Sequence, residues 1–192
     1  KNPPKLKQKL EVKKYHGIEI KDEYSWIHQK NILEVLKDSS KLNPEVRKYL
    51  EEENAYTKFQ MKDTEDLQKK LFGEIKGRIK LDDESLHFFY KKDGWEYWSK
   101  TTTKNNYPIY LRKKINDQKG NIEEYWNGDK EKNKIGASYF GVGDLSVSHD
   151  HSLLGYSLDL NGSEFYTIHV RKIIDQKKVT EIIENTSGGI TF

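Results

Sequence analysis

Six histidines (His16, His28, His87, His149, His151 and His169) are the side chains of this 192-residue sequence whose ordinary titration lies near neutrality. Two of them flank a carboxylate in His149-Asp150-His151. That pattern resembles a fragment of a metal site, but a metal needs three or four ligands converging with ordered partners behind them. The motif falls between two strand-like runs, where polar residues serve turn geometry, so it reads as a hairpin loop. Ser148, His149 and Asp150 are contiguous, and a hydrolytic triad draws its members from distant parts of the chain. They make no triad.

Other motifs fare no better. Gly141-Val142-Gly143 lacks the third glycine and the following helix of a dinucleotide site, and reads as relief of crowding where a strand begins. No phosphate loop and no Gly-x-Ser-x-Gly elbow is present. Glu51-Glu52-Glu53 reads as a solvated helix face, and Asp82-Asp83-Glu84 as a loop. Asn161-Gly162-Ser163 and Asn185-Thr186-Ser187 match the glycosylation sequon, a frequent chance match that matters only in a secreted protein. Lys91-Lys92 and Arg112-Lys113-Lys114 sit beside aromatics, as nucleic-acid surfaces do, but acidic residues are interleaved throughout. No residue is therefore assigned as catalytic, as cofactor-binding or as a metal ligand, and no cofactor is expected.

Composition narrows the classes further. Lys and Arg number 34 against 31 Asp and Glu, a net charge of +3, which argues against a nucleic-acid partner held by bulk electrostatics. Charged residues make up 34% of the chain, as do hydrophobic ones, so the core is thin; an aromatic fraction of 12% keeps the chain out of the disordered class. Zero cysteines exclude a disulfide scaffold, a thiolate zinc site and a cysteine nucleophile, and fit a reducing compartment; the expected location is cytoplasmic. No apolar run approaches the roughly 18 residues of a membrane helix, so no membrane partner is expected. The chain begins on Lys1 and stops at Phe192 inside a strand-like run, and is expected to be a piece of something longer.

The elements change character near residue 72. Upstream, residues 31–38 form a short helical candidate. Asn43, Pro44 and Glu45 then start a helix: the amide caps, the proline fits the first helical position, and the carboxylate favours the positive end of the dipole. Val46, Tyr49, Leu50, Tyr56 and Phe59 fall mostly three or four apart, and Leu67 and Leu71 extend the pattern. Downstream the period shortens to two. Strands are expected at 87–92 and 95–102, joined by Asp93-Gly94, then at 108–114 and 122–126. After the polar run 127–134 come 144–148, 153–160, 165–173 and 179–183. Two groups of about four short strands fit propeller blades or a single eight-stranded sandwich or barrel, and the pattern alone leaves both open.

Several segments, in order, resemble the N-terminal part of the prolyl oligopeptidase family, most of all its oligopeptidase B branch. They are His16-Gly17, DEYSWI (22–27), PEVRKYLEEENAYT (44–57), LFGEIKGRIKLDDES (71–85), GWEYWSK (94–100), YPIYLRKK (107–114), DLSVSHDHSLLGYSLDLNGSEFYTIHV (144–170) and IIENTSGGITF (182–192). The propeller turn that the family writes Ser-Pro-Asp-Gly stands here as Ser148-His149-Asp150-His151.

The resemblance implies a serine peptidase in which a seven-bladed propeller covers an α/β-hydrolase domain. The fold expected is α+β by segment: helical residues 1–71, which would pack on the hydrolase domain, then residues 72–192 as about two antiparallel four-stranded blades of an incomplete propeller. It also implies that the Ser, Asp and His of catalysis lie beyond residue 192, so this chain alone is expected to be inactive. The expected function is that of a propeller fragment of a serine-type oligopeptidase that cleaves short peptides after basic residues. Its expected partner is a hydrolase domain of the same or a separately encoded chain. The other open reading is a non-catalytic remnant or split-gene product that binds protein or peptide.

Overall fold

The computed structural model describes residues 2–90, 93–117, 119–179 and 182–192, which divide into two compact units at Arg78 and Ile79. No helix among the described residues is long and apolar enough to cross a membrane.

The first unit opens with a hairpin, β1 (Glu11–Tyr15) and β2 (Ile18–Asp22), in which Tyr15 pairs with Ile18. His16 and Gly17 take φ of 48° and 81°, the two left-handed residues of a tight turn whose twist suits the strands. The short helix α1 (Ile32–Lys37) follows, then α2 (Pro44–Gln60). The Asn43 side chain accepts from the amides of Glu45 and Val46 at 2.8 and 3.4 Å, the cap its type and place predict. Helix α3 (Glu65–Gly77) runs through the change of texture at residue 72. Val46 is the one buried apolar residue among the described residues of this unit, while Leu67, Leu71, Phe72 and Ile75 of α3 stay exposed.

In the second unit, β3 (Asp83–Glu84) and β4 (Phe88–Tyr90) share one edge of β5 (Trp95–Thr101), followed by β6 (Ile109–Lys114) and β7 (Glu123–Asn127). All pairs are antiparallel, so the sheet is four strands deep with its first strand in two pieces. Tyr90 pairs with Trp95, and Gly94 takes a φ of 71° in the turn; Lys91 and Lys92, which the sequence assigns to this strand, lie outside the described residues. The second sheet is the meander β8 (Gly141–Val147), β9 (Leu153–Asp159), β10 (Tyr166–Lys172) and β11 (Ile183–Thr186). Its last strand sits later than the expected 179–183, of which Thr180 and Glu181 lie outside the described residues. No closed barrel forms among the described residues.

Between the sheets, the polar run expected as a connection is a helix, α4 (Gly128–Ile135). The Asn127 side chain caps it through the Lys130 amide at 3.2 Å, Asp129 and Glu131 occupy its first turn, and Gly136 ends it at a left-handed φ of 71°. Asp129 also accepts from the amides of Asn106 and Tyr107, at 3.0 and 3.1 Å, and so ties down the loop before β6. The two sheets share one core, built from Trp95, Tyr97 and Trp126 on one side and Leu154, Tyr156 and Leu158 on the other.

Candidate functional site

A cavity of about 500 Å³ opens where the edge strands β4 and β8 approach each other. Phe88 and Tyr90 come from one sheet and Leu145 to Ser148 from the other, with His151 and Phe192 closing the wall. Its volume falls in the range of ordinary ligand pockets.

The Ser148–Leu153 turn shapes this wall. Ser148 Oγ donates to Asp150 Oδ1 at 2.6 Å and accepts from the Leu153 amide at 2.9 Å. Asp150 also accepts from the Ser152 hydroxyl at 2.7 Å, and these hydroxyls hold its carboxyl down at about 2. The Ser148 proton is thus given to a carboxylate, not to an imidazole. His149 and Asp150 face solvent while His151 is buried, so His149-Asp150-His151 does not converge on a point. Among the described residues no group of three His, Asp or Glu side chains could hold a metal.

His151 occupies the place of the family's turn glycine, with a φ of 61°. The left-handed backbone carries its ring inward onto Tyr97, Tyr90 and Trp95, with centroids 5.7, 5.4 and 5.9 Å away. Its Nδ1 lies 2.9 Å from Tyr97 Oη, and its carbonyl accepts from Arg112 Nη1 at 2.6 Å. Arg112 is itself buried, donates to Glu123 at 2.8 Å and lies 4.2 Å from the centre of the Trp95 ring. Burial pushes the Tyr97 hydroxyl up despite the guanidinium beside it, so at neutral pH Tyr97 keeps its proton. The Tyr97 hydroxyl and the His151 imidazole thus pair within a buried nest of aromatic rings and the Arg112 guanidinium.

The remaining candidates are dispersed. Asp83 pairs with Lys80 at 2.7 Å, while Asp82 accepts from the Thr103 amide at 2.7 Å. Of the Glu51-Glu52-Glu53 run, Glu53 accepts from Tyr49 Oη at 2.6 Å and the other two are exposed. The basic run 112–114 is not a free cationic stripe: Lys113 pairs with Glu96 at 3.1 Å and Lys114 lies 4.1 Å from the Trp95 ring centre. Gly143 fits the crowding expected of it, since a Cβ there would stand 2.6 Å from Ser157 Oγ. Ser163, in one sequon, is buried. His169, stacked on Tyr156 at 5.0 Å, has a buried Nδ1 without a hydrogen-bond partner among the described residues, and burial lowers its pKa. Sequence reasoning missed Tyr97, Arg112 and Asp93 as neighbours of His151; the histidine in a glycine's place was the available signal.

Residues 3–191 match the family model described as prolyl oligopeptidase, N-terminal beta-propeller domain. The chain belongs to the prolyl oligopeptidase family. Dipeptidyl aminopeptidase BI of Pseudoxanthomonas mexicana is 32% identical over 203 aligned positions, covering 99% of this chain and 27% of that protein. Protease 2 of Moraxella lacunata is 23% identical, covering 88% of this chain and 23% of its own length. Oligopeptidase B from Leishmania major shares the fold with a TM-score of 0.78 at 21% identity, over 100% of this chain and 27% of that one. The chain thus spans about a quarter of the relatives it matches. The two sheets are part of the family's propeller domain, which closes the choice between propeller and sandwich left open by strand pattern.

Proposed function

We propose that this chain is the substrate gate of a serine-type oligopeptidase. The match of residues 3–191 to the family's propeller domain carries this reading. In it, the two four-strand-deep sheets are the first two of seven blades, and residues 1–71 fasten them to an α/β-hydrolase domain. That domain supplies the Ser, Asp and His, while no residue of this chain touches the scissile bond. A serine nucleophile would be activated there by the histidine and oriented by the aspartate. The propeller's part is exclusion: short peptides pass and folded proteins do not. The cut falls after a basic residue, a preference supported by the resemblance to the oligopeptidase B branch, and the absence of cysteine supports a cytoplasmic setting.

The decisive experiment compares the 192-residue chain with a longer chain that continues through a hydrolase domain. The longer one cleaves an Arg-containing peptide and is silenced by a serine-directed reagent; the shorter one does neither. Cleavage by the shorter chain, blocked by the same reagent, overturns the reading.

A further inference from the structure

The tyrosines lining the cavity differ in what their hydroxyls do. Tyr97 Oη is engaged: it accepts from Arg112 Nη1 at 3.4 Å and lies 2.9 Å from His151 Nδ1. Tyr125 is 7% exposed, and its hydroxyl has no hydrogen-bond partner among the described residues. The hydroxyl of the half-buried Tyr110 likewise has none among them. Enclosed polar groups are nearly always paired, so two idle hydroxyls in one wall need a reason. They are not sealed away. The side-chain atoms that are both unpaired and sealed among the described residues are His151 Nε2, His169 Nδ1 and Arg171 Nε. Tyr125 is also the extra residue of a β-bulge: Tyr110 pairs with Trp126 and Leu111 with Glu124, which leaves Tyr125 opposite no residue of β6. Such a bulge re-aims a side chain, and here it sets the Tyr125 ring 6.1 Å from Tyr110 and 5.5 Å from Tyr97. Burial pushes both idle hydroxyls up, so each keeps its proton at neutral pH and can donate and accept. Around them the walls are apolar: Phe88 and Trp98 from the first sheet, Leu145 and Val147 from the second.

We propose that this cavity is a subsite for a tyrosine side chain of a short peptide, whose hydroxyl pairs with those of Tyr125 and Tyr110. A phenol matches both parts of the site. Its flat ring suits aromatic walls, and its uncharged tip both donates and accepts, as the two waiting hydroxyls do. A charged tip would have to shed its water beside groups whose surroundings already disfavour charge. Phenylalanine would fill the same walls but leave both hydroxyls unpaired, and that difference is what the site can read. The volume of about 500 Å³ holds one such ring with peptide backbone beside it. This rests on the reading that the domain meets short peptides, and adds which side chain it selects.

The test titrates the full 192-residue chain by calorimetry with N-acetyl-tyrosine amide, with N-acetyl-phenylalanine amide and with p-cresol, the same phenol without a peptide. The tyrosine amide binds about tenfold more tightly than the phenylalanine amide, the worth of two net hydrogen bonds, and more tightly than p-cresol. Tyr125→Phe cuts the preference below about threefold, because one of the two bonds is gone. Its melting temperature holds or rises, since the deleted hydroxyl had no partner to lose; a hydroxyl serving only the fold would lower it. Equal binding of the two amides, binding of neither, a Tyr125→Phe protein that keeps the tenfold preference, or one that melts lower overturns the proposal. Binding of p-cresol as tight as that of the tyrosine amide overturns the peptide assignment in favour of a free phenol. Failure here leaves the gate reading standing, because that is read from the peptidase activity of a longer chain.

Discussion

Arg171 Nη1 stands 2.7 Å from Glu131 Oε1, joining the third strand of the second sheet to the helix that follows the first. Arg171 is 3% exposed, and its guanidinium lies 5.2 and 5.0 Å from the ring centres of Trp126 and Tyr156 and donates to the Tyr125 carbonyl at 3.4 Å. A charge so enclosed is costly once its partner is gone. Glu131→Ala should therefore destabilise the domain by about 3 kcal/mol, whereas Arg171→Met with Glu131→Leu should come near neutral. Urea unfolding followed by tryptophan fluorescence checks both; equal losses for the single and double variants would contradict the argument.

Gly143 tests packing without charge. Its Cβ would meet Ser157 Oγ at 2.6 Å and the Tyr166 ring at 2.8 Å, and both neighbours belong to strands that cannot retreat separately. Gly143→Ala should cost about 2 kcal/mol, within the usual range for overpacking. Gly189→Ala is the control, since nothing stands within 4 Å of its added Cβ. The difference between the two melting temperatures is the readout.

These sites also show what local sequence could and could not reveal. Asn43-Pro44 announces α2 because a cap acts on residues two and three places ahead. The alternation in 95–102 and 153–160 announces strands for the same local reason. Helix α4 was hidden because GDKEKNKI has no apolar stripe; its signals were only Asn127 before it and Gly136 after it. The hairpin at His16-Gly17 was hidden because both of its strands are exposed and show no buried face. The His151 cluster was unreadable for another reason: Tyr97 and Arg112 lie 54 and 39 residues away, and only tertiary packing brings them to it.

Acid should loosen the second unit through several depressed carboxyls, Glu96 and Asp150 among them. Burial pushes Glu96 up, but hydrogen bonds from His87 and Lys113 outweigh it, and the group ends below its ordinary value of 4.5. Hydrogen bonds from Ser148 and Ser152 hold Asp150 at about 2 against an ordinary 3.8. Both are depressed in the folded state, so their contribution is complete above the ordinary values and fades as pH falls through the folded ones. The urea midpoint should fall between pH 4.5 and 2. Glu96→Gln should lower it at pH 6 and flatten the fall below 4.5; an unchanged slope would show that the Glu96 network carries no proton-linked stability.

Leu67, Leu71 and Ile75 recur every four residues along α3, and each is about half exposed, at 56%, 45% and 59%. Together with the neighbouring Phe72 they make an apolar stripe that neither α1 nor α2 covers. At about 25 cal/mol per Å², a stripe of a few hundred Å² favours association by several kcal/mol, offset in part by the ordering that association requires. The 192-residue chain alone should therefore self-associate with increasing concentration. Leu71→Lys with Ile75→Lys should return it toward monomer in sedimentation velocity while leaving the melting temperature of the second unit unchanged, because neither residue belongs to that unit's core. A wild-type chain that stays monomeric across a hundredfold range of concentration would show that α3 has no unmet demand for a partner.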